Sequence, residues 1–179
     1  MAYIKRLLIK NDKSIFFYIN EKIKCNTLDK IMPKITHFGG PIFTMVSCWI
    51  LAVFGKNNIR LSAIEALTAL VSSHLFVQLL KRTITRPRPY MVLSETNTFN
   101  YLLKDYSFPS GHATASFSMA VTFSIFFPSI AFILISLAAL VGISRIYMGL
   151  HYPSDVLIGS TIGILSSYAT HFLSLKILL

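Results

Sequence analysis

The sequence predicts an all-α protein, a polytopic membrane helix bundle, on three observations. Apolar residues fill 54% of its 179 positions and charged residues only 13%, against roughly 25% charged in an average soluble domain. Five apolar stretches are long enough to span a bilayer, which takes about 20 helical residues. The polar residues between them are gathered in short clusters. A soluble all-α protein with a large core is disfavoured by the length of the apolar runs.

Residues 1–35 stand apart as an N-terminal amphipathic interfacial segment. Ile15, Ile19 and Ile23 recur at helical spacing, and Phe16, Leu28, Ile31 and Met32 extend the apolar side. Lys13, Lys22, Lys24, Lys30 and Lys34 intervene, a pattern suited to the membrane interface. Glu21, Lys22 and Lys24 oppose a crossing through residues 15–23, because charge in hydrocarbon costs several kcal/mol. The expectation is therefore five transmembrane helices plus an amphipathic helix, or six if this segment crosses.

Residues 36–179 read as one transmembrane domain. Its spans are expected at about 36–55, 61–80, 110–127, 129–150 and 156–175. Lys56 to Arg60 form the first turn, 81–107 a long polar segment, Pro128 a break, and His151 to Asp155 the last turn. Residues 91–106 are the main candidate for a lid. Cys25 and Cys48 lack metal-ligand spacing and read as structural. No cleaved signal peptide is expected, since no small-residue cleavage site follows the basic N-terminus.

The net charge of +10 points to an anionic partner. The aromatic residues lie inside apolar runs and no nucleic-acid motif is present, so the expected partners are the lipid bilayer and a phosphate-bearing membrane lipid, not nucleic acid. The sequence leaves the oligomeric state open.

Topology brings three polar clusters to one membrane face: the end of the second span, the start of the third, and the turn between the fourth and fifth. Lys81, Arg82, Arg86 and Arg88 form the first, with Pro87 and Pro89 stiffening the chain. Arginine offers phosphate a planar fork and lysine a point charge. Taken alone, these residues also read as headgroup anchors.

Pro109-Ser110-Gly111-His112 opens the third span. A helix N-terminus attracts anions, Ser110 can cap it or donate to phosphate, and Gly111 permits close backbone approach. His112 stands where a proton donor meets a leaving oxygen. An ordinary Ser-capped helix with an interfacial histidine is the plain alternative.

The third cluster is Ser144-Arg145, then His151 and Asp155. An arginine within an apolar span normally has a functional anionic partner. A carboxylate bonded to one imidazole nitrogen leaves the other free to attack. The competing reading makes Asp155 a helix cap and His151 an interface anchor. Two histidines and an aspartate could ligate zinc, but the crowd of cations would repel a dication and itself neutralise phosphate. No metal and no cofactor are expected.

Together these residues fit K-x6-R-P (Lys81, Arg88, Pro89), P-S-G-H (Pro109 to His112) and S-R-x5-H-x3-D (Ser144, Arg145, His151, Asp155). The set resembles the type 2 phosphatidic acid phosphatase superfamily, which includes bacterial membrane lipid phosphatases and the vanadium haloperoxidases. The resemblance implies that His151 is a nucleophile forming a phosphohistidine, that Asp155 orients it, and that His112 is the general acid and then the base. It assigns Lys81, Arg88, Ser110, Gly111 and Arg145 to the phosphate oxygens. Many members have six spans, and the family usually places its site on the outer face of the cell membrane. A basic N-terminal segment on the active-site face would argue for the cytoplasmic side.

The resemblance implies hydrolysis of a lipid phosphate or diphosphate. Undecaprenyl diphosphate is the favoured substrate, with phosphatidylglycerophosphate, phosphatidic acid and lipid A as alternatives. A transporter is a distant reading, since no repeat is visible. A peroxidase is disfavoured because those relatives are soluble. His37, His74 and His171 are expected to pack or face the interface, Glu65 to snorkel or pair with Arg60, and Trp49 to face lipid or pack.

Overall fold

The computed structural model describes residues 11–99 and 103–178. The first ten residues of the predicted amphipathic segment, and residues 100–102 of the predicted lid, lie outside the described residues.

Residues 11–17 are helical and run into a π-helical turn, Tyr18–Lys22. Helix α1 is Asn26–Ile35, followed by a 3₁₀ turn, Thr36–Gly39. Helices α2 (Pro41–Phe54) and α3 (Asn57–Thr83) form an antiparallel pair. After a single turn at Pro89–Val92 come α4 (Gly111–Phe126), α5 (Ala131–Tyr147) and α6 (Pro153–Leu178). No strand occurs among the described residues.

The bundle places small polar residues inside and large apolar ones outside, as expected where lipid is the solvent. Helix α4 packs against α3, α5 and α6. Ser73 and Ser118 share a hydrogen bond of 3.1 Å, and Ser167 Oγ donates to the Ser118 carbonyl at 2.8 Å. Ile42, Phe54, Phe132, Leu157 and Leu165 point outward. Helices α4 and α6 meet through glycine: a Cβ on Gly163 would lie 2.5 Å from the Thr114 carbonyl oxygen, and one on Gly159 2.5 Å from that of Ser110.

Three helical runs are long and apolar enough to cross a membrane: α3, Pro128–Tyr147 and Pro153–Lys176. A fourth counts if Asn26–Gly39 and Pro41–Phe54, bent by 50°, form one broken span. Two of the five expected spans come out shorter than their apolar runs. Gly40 is extended ahead of Pro41, which leaves α2 with 14 residues. Ser110 and Phe127 bound α4 at 16. At 1.5 Å per residue these are about 21 and 24 Å long, against a hydrocarbon core of about 30 Å.

The N-terminal segment folds over the end of the bundle formed by the C-terminus of α5 and the start of α6. Phe16 is fully buried against Ile146 and Tyr152. Asn20, also fully buried, donates to the Tyr147 carbonyl at 2.7 Å and accepts from the Asn97 amide at 2.9 Å. Ile15 and Ile31 remain exposed, so the apolar residues of this segment divide between the bundle and its surroundings.

Candidate active site

The starts of α2, α4 and α6 and the ends of α3 and α5 meet at that same end. Each boundary has a local cause. Pro87 stops α3 at Thr83, because its ring clashes with the carbonyl four residues back and it has no N–H to bond it. Ser110 caps α4, accepting from the Ala113 amide at 3.5 Å. Gly149 turns the chain after α5 with φ of 73°, a left-handed conformation that favours glycine. The Ser110 amide donates to the Asp155 carbonyl at 3.0 Å, which ties the α4 and α6 starts together.

A cavity of about 200 Å³ opens there, and Lys81, Arg88, Gly111, His112, Arg145 and His151 all line it. Six of the eight residues expected at the site thus surround one space. Ser110 and Asp155 are fully buried behind it. Nothing lies within 4 Å of a Cβ built on Gly111, so the α4 N-terminus is open to a ligand. Of the basic cluster, Arg82 is exposed and Arg86 turns away from the cavity.

Arg145 is 4% exposed. One of its terminal nitrogens donates to Thr36 Oγ1 at 3.0 Å. Its Nε and Nη2 are buried and find no hydrogen-bond partner among the described residues. A buried cation with unpartnered donors is costly in a bundle interior unless an anion pairs with it.

The Nη1 of Arg88 lies 3.1 Å from His151 Nε2 and donates to the Leu150 carbonyl at 2.8 Å. Arginine only donates, so Nε2 is the acceptor and the His151 proton sits on Nδ1. The free lone pair of His151 is therefore on Nε2, the nitrogen beside the cations. Burial first, then the charges of Arg88, Arg145 and Lys81, push the His151 pKa well below 6.5, so the ring is neutral.

Asp155 departs from the arrangement expected of it. Its Oδ2 is 3.8 Å from His151 Nδ1, outside hydrogen-bonding distance. That oxygen accepts instead from Ser107 Oγ and from the Tyr152 amide at 2.9 Å. Asp155 is the third residue of α6, where a carboxylate reaches back to the capping residue's N–H, and this local cap competes with the histidine. Its other oxygen accepts from Arg86 Nη1 at 2.6 Å. Arg86 also reaches Asp12 at 2.5 Å and Ser154 Oγ at 2.7 Å, and lies 3.9 Å over the Tyr152 ring. Burial opposes the Arg86 charge, but Asp155 and Asp12 outweigh it and raise the pKa.

Three residues that sequence reasoning did not single out take part. Asp12 and Thr36 brace Arg86 and Arg145. His74, expected to pack or face the interface, borders the cavity. Asp105 accepts from Lys81 at 2.5 Å and from Arg88 at 2.7 Å. Only Asp105 left a signal: with seven acids in the chain, one lies four residues before Pro109. Away from the site, Glu65 pairs with His171 at 3.0 Å and accepts from Ser174, not with Arg60. It is 3% exposed and faces α6, while Arg60 points outward.

The fold and this pocket define a helical membrane protein with a cationic, two-histidine site. The chain belongs to the PAP2 superfamily, whose model matches residues 62–177. It is 33% identical over 108 residues to the bacitracin transport permease protein of Bacillus licheniformis, covering 60% of this chain and 53% of that one. The chain thus spans about half the length of that relative. It is 30% identical over 167 residues to an undecaprenyl-diphosphatase of Sulfolobus acidocaldarius, covering 90% and 79%. The crystal structure of a transmembrane PAP2-type phosphatidylglycerolphosphate phosphatase from Bacillus subtilis is similar at 26% identity and a TM-score of 0.79, covering 96% of this chain and 88% of that one.

Proposed function

We propose that this chain is an integral membrane phosphatase acting on a lipid phosphate or diphosphate through a phosphohistidine. The observation that carries the reading is Arg145, buried with two donors unpartnered, on a cavity that also receives Lys81, Arg88 and both histidines. His151 Nε2 attacks phosphorus and the bond to the leaving oxygen breaks. His112 protonates that oxygen, then takes a proton from the water that releases phosphate. Lys81, Arg88, Arg145 and the Gly111 amide hold the phosphate oxygens, Ser110 caps the helix behind them, and Asp155, bonded to the Tyr152 amide, fixes the turn that carries His151. The three cations supply the charge a metal would bring, and activity is expected to survive EDTA.

An apolar cavity of about 240 Å³ between α2 and α3 shares Pro41, His74, Val77, Gly111 and Ala115 with the phosphate site, which suits a lipid tail. We favour undecaprenyl diphosphate because a relative aligned with 90% of this chain is an undecaprenyl-diphosphatase. Phosphatidylglycerophosphate is the nearest competitor, on the structural likeness to a phosphatase of that lipid. A panel of both lipids and phosphatidic acid, with purified protein and the His151→Ala control, decides between them. No release from any of them by the wild type refutes the reading.

The reading places five crossings in residues 36–179, with residues 11–35 on the active-site face. We place that face outside the cell, as the family resemblance implies. The positive-inside rule pulls the other way, although Lys81, Arg86 and Arg88 are matched there by Asp105, Asp12 and Asp155. Cys25, exposed on the N-terminal segment, is the reporter: a membrane-impermeant maleimide labels it in intact cells if the face is outside and spares it if the face is cytoplasmic.

A further inference from the structure

Every N–H of Arg88 is engaged within the protein. Its Nε donates to the Asp105 carbonyl at 2.9 Å, and Nη2 to the Asp105 carboxylate at 2.7 Å and the Tyr106 carbonyl at 3.3 Å. Its Nη1 serves the Leu150 carbonyl and His151 Nε2. A guanidinium has five N–H groups, so none is left for a phosphate oxygen. Two of the three N–H groups of Lys81 are committed as well, to Asp105 Oδ2 and to the Tyr106 carbonyl at 2.8 Å.

One of these partners is suited to leave. The Leu150 carbonyl belongs to a residue 2% exposed. The Asp105 side chain is 54% exposed, and its carboxylate is an anion of the kind the cations would otherwise bind. Burial acts to raise its pKa, but Lys81 and Arg88 hold it down to about 2. Asp105 therefore stays charged at any pH the cell offers, and protonation does not free the cations.

We propose that Asp105 is a specificity-determining residue, a tethered anion that competes with substrate phosphate for Lys81 and Arg88. A dianionic phosphomonoester or a diphosphate terminus outbids a single carboxylate. A monoanionic phosphodiester, such as an ordinary phospholipid of the surrounding bilayer, does not. Arg145 is the contrasting cation, with donors available before Asp105 moves, so phosphate meets Arg145 first and takes Lys81 and Arg88 from Asp105 second. This inference rests on the reading of the cavity as a phosphate site.

The test compares purified wild-type protein with Asp105→Asn and Asp105→Glu. Inhibition constants for orthovanadate and inorganic phosphate are measured against lipid phosphate hydrolysis, and orthovanadate binding is measured directly by calorimetry. Loss of the competing charge-assisted bonds is expected to tighten vanadate and phosphate about tenfold in Asp105→Asn, the scale of one such bond. KM falls with them, and a phosphodiester lipid becomes a competitive inhibitor. Asp105→Glu, which keeps the charge, stays near wild type.

If Asp105 merely braces the two cations, Asp105→Asn binds vanadate more weakly or equally well, and the inference is overturned. Amide exchange in the wild type covers the case in which the variant does not fold. Exchange at residues 103–106 speeds up on saturation with vanadate if Asp105 is displaced, and slows or holds if it is not. A wild type that binds vanadate with these signatures yet hydrolyses no lipid phosphate refutes the phosphatase reading alone.

Discussion

Replacing Arg86 by glutamine removes the charge that compensates two carboxylates at once. Asp155 is fully buried and Asp12 nearly so, and Arg86 contacts them at 2.6 and 2.5 Å. Breaking a buried ion pair costs about 3–5 kcal/mol, because the remaining charge is left without its partner. Arg86 is itself 26% exposed, so solvent screens part of the loss and the lower end, about 3 kcal/mol, is expected. For a chain of this length that is a drop of about 6–12 °C in melting temperature, measurable by thermal unfolding in detergent. Arg86 faces away from the cavity, so orthovanadate affinity is expected to stay within about twofold while kcat falls. Asp12→Asn alone costs less, since Asp155 keeps Arg86, and the double variant costs little more than Arg86→Gln. An unchanged melting temperature would refute the claim that this pair holds the start of α6. A tenfold loss of vanadate affinity would instead make Arg86 a phosphate ligand.

Two more predictions concern pH and packing. The folded protein keeps His151 neutral, with a pKa well below 6.5, whereas the unfolded imidazole titrates near 6.5. The unfolded chain thus binds a proton that the folded chain refuses, so stability is complete above about pH 6.5 and falls as pH drops below it, by about 1.4 kcal/mol per unit for this one group. Melting at pH 5 and pH 7.5 checks this: His151→Gln is expected to lose part of the acid slope, and an identical slope contradicts it. Gly163→Ala sets a Cβ 2.5 Å from the Thr114 carbonyl oxygen and 2.9 Å from the Ser118 amide nitrogen. Neither can swing aside, so the variant is expected to lose about 1–3 kcal/mol, while Gly111→Ala, with open space around it, melts like the wild type.

How much of this was legible depends on how far each interaction reaches along the chain. Lys81, Arg88, Gly111, His112, Arg145 and His151 were legible because each carries its chemistry in its residue type at a fixed spacing, and helix direction alone brings their clusters to one face. Asp12 and Thr36 were not, since their partners Arg86 and Arg145 lie 74 and 109 residues away and no local pattern records such a contact. The pairing of Asp155 with His151 was read from spacing, but spacing does not show that the same carboxylate sits at the third position of α6 and serves its cap. Hydropathy located the helices and overstated the length of α2 and α4, because apolar content continues through Gly40-Pro41 and up to Pro128 while backbone helicity does not. For Glu65 the sequence offers snorkelling or pairing with nearby Arg60; the helix turns it inward, to His171.

The central claim is that His151 carries the phosphoryl group between lipid and water. Acid-labile, alkali-stable phosphate bound to the protein, trapped by rapid quench from a lipid substrate labelled on the transferred phosphate, tests it most directly. The wild type is expected to carry label on His151, and His151→Ala to carry none and release no phosphate. Full phosphate release by His151→Ala, or label on another residue, would contradict the account.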